Sequence, residues 1–189
     1  NVIGVADESW RALTAQNDEV TTLAHEVVHA FVQGRTPRRD TLYAFSIEGF
    51  PSYFHWPALG ALIGEAVYEN RMDRAQIRYL ERRQTGLDYR GERLPPEKPI
   101  LQITADEIGL YKDRFVLNDR ALLVWDYLRR NLGREGFDAL VREMSNRDSL
   151  TSAEFFTLIQ QHAPLLVEDA HLWLETTDFP DRLRRPVAP

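Results

Sequence analysis

The sequence contains no cysteine. That excludes disulfides and thiolate metal sites, so any metal must be held by histidine and carboxylate. Long apolar runs are missing too. No stretch approaches the roughly 18 apolar residues that a membrane-crossing helix needs. An excess of positive charge is also absent. The net charge is -6, which leaves no electrostatic footprint for nucleic acid or an anionic membrane. No internal repeat and no signal peptide is visible. The chain opens on Asn1 rather than Met, which suits an excised domain or a processed product of a longer parent. The compartment stays open, beyond the expectation of a soluble domain.

What is present is enough for a folded core. Of the 189 residues, 43% are apolar and 28% are charged with both signs mixed. Residues 2–5 are short, apolar and β-branched, which predicts an edge strand. A helix is expected over about 17–33, closed by Gly34 and Pro37. A second is expected over 41–53. A third is expected to start with Pro57 in its first turn and to run to about Arg83. Then comes QTGLDYRGERLPPEKP, with two glycines, three prolines and many charges, which reads as a loop. After it, TADE at Thr104 and TSAE at Thr151 are capping boxes. ALLVWDYLRRNLG closes on Gly133, a helix stop. The expected fold is mainly α within the α+β class. Its expected organisation is a core over 1–83, a loop over 84–100 and a helical part of the same domain over 101–189.

TTLAHEVVHAF carries the chemistry. Val20, Leu23, Ala24, Val27, Val28 and Phe31 recur at three-four spacing and form the expected core stripe. His25 and His29 lie about 40° apart on the helical wheel, centred about 140° away from that stripe. An i, i+4 pair offers two imidazole nitrogens to one metal ion. Glu26, one residue on, would flank that ion without binding it, which suits a base acting on water. The bland alternative is a pair of satisfied helix histidines. A third ligand is found in FSIEGFPSYF: Glu48 follows His29 with 18 residues between them, the right length for an antiparallel helical return. Glycine at 32 and histidine at 35 would mark a three-histidine site, but the chain has Val32 and Arg35. The expected set is therefore His25, His29 and Glu48 around one Zn2+, with water in the fourth position.

These residues resemble the zinc core of gluzincin metallopeptidases, especially the aminopeptidase N family. That family pairs His-Glu-x-x-His with a glutamate 18 residues on, inside a Glu-Gly-(Phe/Leu)-x-x-Tyr stretch. ALLVWDYLRRNLGREGFDALVREM, TSAEFFTLIQQHA and LWLETTDFP resemble the helical segments that follow. The resemblance implies a thermolysin-like zincin catalytic domain with a helical C-terminal lobe. It also implies that much of the upstream sheet is missing from this chain, belonging instead to further segments of a longer parent protein. It implies hydrolysis of a peptide or protein substrate, with Glu26 as general base. The family's oxyanion tyrosine aligns with Asn118, which can donate a hydrogen bond but cannot act as an acid. Tyr111, seven residues upstream, is the other candidate for that role. GVADES is only a faint echo of the family's amino-terminus anchor, so endopeptidase, aminopeptidase and a catalytically impaired binding or scaffolding domain all stay open.

Other residues carry plainer expectations. His55 is expected to cap or pack, with donation to a substrate as the alternative. Tyr53 is expected behind the metal site. Glu69 and Asp73 are expected on a solvated helix face, with orientation of a ligand histidine as the sharper reading. His162 and His171 are expected to be structural. Trp125, Trp173, Phe155 and Phe156 are expected in the core. The basic clusters at 35–39 and 182–185 are expected on the solvated surface.

Overall fold

The computed structural model describes residues 18–32, 34–88, 90–112 and 116–186. Seven helices organise them. The first four are α1 (Asp18–Val32), α2 (Phe50–Ile63), α3 (Glu65–Thr85) and the short α4 (Ile108–Lys112). The last three are α5 (Ala121–Ser145), α6 (Ser152–His162) and α7 (Val167–Glu175). Two π-turns lead into helices: Phe45–Gly49 into α2 and Val116–Arg120 into α5. The described residues contain no strand, only an isolated antiparallel bridge between Leu87 and Arg93 in the loop after α3. The strand expected over 2–5 lies outside the described residues. No helix among the described residues is long and apolar enough to cross a membrane.

Trp125 on α5 is the hub of the core and is fully buried. Phe45 stacks on it at 5.1 Å, and Phe50 meets it edge-on at 4.5 Å. Phe54, Phe137 and Phe155 complete the cluster. Such aromatic pairs add roughly 0.5–1.5 kcal/mol each beyond area burial. Phe45 and Phe50 bracket the first π-turn, so the same packing that fills the core fixes the backbone carrying Glu48. Gly49 closes that turn. A Cβ there would lie 2.9 Å from the Phe45 ring and 3.0 Å from the Ala121 Cβ. Only glycine lets the first π-turn approach the start of α5 this closely.

Several boundaries differ from expectation. Pro57 lies inside α2 rather than at the start of a new helix. The break falls instead at Gly64, with φ 117°. An interior proline loses one ladder hydrogen bond at a cost of roughly 3 kcal/mol. The helix continues because Phe50, Tyr53 and Leu59 along it are buried. α5 is assigned as continuous to Ser145, but Gly133 sits in it at φ 68° and ψ 172°. The expected stop at Gly133 is therefore a kink that joins two helical runs. Both capping boxes are formed, by Thr104 with Glu107 and by Thr151 with Glu154.

The larger correction concerns α1. Two residues of its apolar stripe are open to solvent: Leu23 is 66% exposed and Val27 is 50% exposed. The histidine face turns toward the first π-turn and α2. Periodicity fixes the angle between two faces of a helix, not which one meets the body. Here the match between His25, His29 and Glu48 decides it.

Arg185 is the other correction. Expected on the surface, it is 6% exposed. Its guanidinium pairs with Asp126, Glu69 and Asp73. Its backbone N–H donates to the Gln76 side chain at 2.7 Å. Glu69 and Asp73 thus tie down the end of the chain rather than orienting His25 or His29. The remaining aromatic and histidine expectations hold. Trp125, Trp173 and Phe155 are fully buried, and Phe156 packs against the core. His162 pairs with Glu143 at 2.8 Å, and His171 stacks on Phe156.

Candidate metal centre

α1 and the first π-turn bring three candidate ligands together. His29 Nε2 lies 3.0 Å from His25 Nε2. Glu48 Oε2 lies 3.8 Å from His25 Nε2 and 3.9 Å from His29 Nε2. All three ligand atoms fall within 4.8 Å of one another. A tetrahedral zinc ion with N/O ligands at about 2.0–2.2 Å separates its ligand atoms by about 3.3–3.6 Å. The observed separations bracket that edge, so small side-chain movements suffice. Two imidazole nitrogens at 3.0 Å also need a proton or a cation between them, since two lone pairs repel. The donor set fits zinc: two imidazoles and one carboxylate, partly shielded from water.

The π-turn explains why Glu48 reaches this point. The Phe50 N–H donates to the Phe45 carbonyl, which widens the helix by one residue. Phe45 and Phe50 point into the core, and the wide turn places the intervening Glu48 toward α1. Single π-turns recur where a helix must aim a functional side chain.

Beside the ligands lies a polar cleft lined by Thr21, Glu26, Ser52, His55, Arg71 and Asn118, with Trp56 as an aromatic wall. His25 forms part of its floor. Glu26 is exposed to it. Asn118 arrives on the second π-turn, and its Oδ1 accepts from the Ser52 hydroxyl at 3.2 Å. Asn118 also lines the cleft. The neighbours of Asn118 hold it there. Asp119 is buried and gripped by Arg78 at 2.6 Å and Arg82 at 3.1 Å. Arg120, with no exposed surface, donates to the carbonyls of Trp173, Thr176 and Asp178 and pairs with Glu97.

Tyr111 is not brought to the cleft. Its hydroxyl donates to the Pro96 carbonyl at 3.0 Å, and the ring is buried under the loop after α3. His55 takes the packing place expected of it, in the wall of the cleft. Its Nδ1 lies 2.7 Å from the Pro51 carbonyl, so that nitrogen carries the proton and donates, while the ring lines the cleft. It sits 5.8 Å from the His25 ring. Burial lowers its pKa to about 4, so the imidazole is neutral at pH 7. Tyr53 packs in the aromatic core against Trp125 and Phe137, its hydroxyl 3.0 Å from that of Tyr68. Burial raises the Tyr53 pKa well above the usual phenol value, and Tyr68 beside it adds to the shift.

Sequence reasoning missed Ser52, Trp56 and Arg71. Ser52 lies one turn beyond Glu48 on the same face of α2, a signal that helical spacing carries. Arg71 comes from α3 and has no local motif.

No protein-family model matches the sequence, and no curated protein matches it. Among solved structures, the chain is similar to a mutant of an M1 zinc metallopeptidase from Deinococcus radiodurans. The TM-score is 0.59 at 18% sequence identity. The match covers 89% of this chain and 34% of that one. The chain thus spans about a third of the length of the structure it matches. At this identity the likeness establishes the fold: the helical architecture here is that of a helical portion of an M1-type zinc metallopeptidase.

Proposed function

We propose that this chain is the zinc-binding and helical part of a metallopeptidase, with His25, His29 and Glu48 as ligands to one zinc ion. The observation that carries the reading is the convergence of those three side chains at 3.0–3.9 Å beside a cleft that also holds Glu26. A zinc ion bound there supplies Lewis acidity toward an amide carbonyl and acidifies water.

The chain's own residues do the rest. Glu26 accepts the proton of the attacking water and returns it to the leaving amine. Asn118, its Oδ1 fixed by Ser52, donates an amide N–H to the carbonyl oxygen as negative charge develops there. Being unable to give up a proton, Asn118 is a donor only, and Glu26 carries the proton. The partners are a peptide or protein substrate and further segments of a longer parent chain, which complete the unit around α1. A second reading, a gluzincin-like domain with impaired catalysis and a binding role, is favoured by Asn118 alone. The intact Glu26 favours turnover.

The test is cleavage of a mixed peptide library by zinc-supplemented protein, read by mass spectrometry. We expect cleavage that a chelator abolishes and added zinc restores. Cleavage indifferent to the chelator, or no cleavage by zinc-loaded protein, would overturn the peptidase reading.

A further inference from the structure

Arg71 has no role in the chemistry above, yet it lines the same cleft as Glu26 and Asn118. It is half-buried, and its guanidinium lies 5.1 Å over the ring of Trp56. Its Nε is buried with no hydrogen-bond partner among the described residues. An unsatisfied buried donor on a cation is costly unless something completes it.

The surroundings do not neutralise it. Asp119 is the carboxylate that acts on it, but Arg78 and Arg82 already hold both Asp119 oxygens. Burial, and then the nearby Arg78, bring the Arg71 pKa down to about 10. The charge there is therefore under-compensated, although it stays on at pH 7. The cleft thus carries charge of both signs, with Glu26 and Arg71 both in its lining and the Arg71 guanidinium over Trp56. A guanidinium is a planar fork of N–H donors that matches a carboxylate in two-pronged fashion.

We infer that Arg71 is a specificity residue that anchors a carboxylate of the substrate. This rests on the peptidase reading for the nature of the ligand. The carboxylate has two sources: a Glu or Asp side chain, or the free carboxyl terminus. Either leaves the scissile amide neutral and near Glu26, where a second negative charge would be repelled.

The experiment measures binding, so it does not depend on turnover. Four versions of one short peptide are titrated by calorimetry into zinc-supplemented Glu26→Gln protein. They carry Glu or Gln internally, each with a free or an amidated carboxyl terminus. The carboxylate of one source is expected to tighten binding about tenfold over its neutral isostere, as a charge-assisted hydrogen bond implies. Arg71→Met is expected to erase that preference, and Arg71→Lys to restore part of it. The wild-type residue at 71 gives the acid-versus-neutral comparison even where Arg71→Met fails to fold.

Equal binding of all four peptides, undetectable binding included, would overturn the inference. So would an acid preference that Arg71→Met leaves intact. Acid preference without hydrolysis by the Glu26 protein would sink the peptidase reading and keep the anchor. Hydrolysis without acid preference would do the reverse.

Discussion

Glu26→Gln is expected to lower peptide hydrolysis by roughly 10²–10⁴-fold, the usual worth of a positioned general base, with zinc content unchanged. Glu26 stands outside the ligand triad, which consists of His25, His29 and Glu48. It lines the cleft and is open to solvent. Glutamine keeps the shape and the carbonyl oxygen but cannot take a proton. The loss should therefore fall on kcat, with KM little altered. Steady-state kinetics beside metal analysis of the same samples checks both halves. A variant that keeps near wild-type kcat would remove Glu26 from the chemistry. A variant that loses zinc would move it into the ligand set.

Asp126→Ala is expected to destabilise the fold by about 3–5 kcal/mol, because it strands buried charge. Asp126 is fully buried in the second turn of α5. It accepts from the Tyr68 hydroxyl at 2.7 Å and from Arg130 at 2.8 Å, and it pairs with Arg185. Tyr68 in turn meets Tyr53 on α2, so the network joins α2, α3, α5 and the chain end. Removing the carboxylate leaves the Arg185 guanidinium buried with weaker company and takes the charged acceptor from the Tyr68 hydroxyl. Urea unfolding followed by circular dichroism measures the change. An unaltered midpoint would mean that the network is ornamental and that aromatic packing around Trp125 holds these helices alone.

The parts of the molecule that the sequence made legible are those where spacing within one helix, or across one return, carries the information. His25 and His29 share a face because four residues make just over one turn. Glu48 meets them because α1, a connection and a π-turn make a return of the expected length. The caps at Thr104 and Thr151 were legible because a capping box is local chemistry. What was hidden depends on partners distant in sequence. The wheel separates the histidine face of α1 from Leu23 and Val27, but it cannot tell which face meets α2. Pro57 reads as a start signal, and only the packing of Tyr53 and Leu59 lets α2 run through it. Arg185 reads as surface because its three acidic partners lie over 50 residues away or more on α3 and α5. Arg71 reached the cleft by the crossing of α3 past α2, for which no pairwise spacing exists. Asn118 was found only by alignment to a family pattern. Its orientation depends on Asp119 and Arg120, whose partners are again remote.

The central claim is that two histidines of α1 and the glutamate of the first π-turn hold one zinc ion. Native mass spectrometry of the purified chain, after zinc supplementation and desalting, tests it beside Glu48→Ala. The account predicts one zinc per chain, and in the variant a zinc signal that disappears or needs at least about 100-fold more zinc, beyond the 10–100-fold that a supporting residue is worth. Zinc retained equally by both proteins, or absent from the wild type, would contradict it.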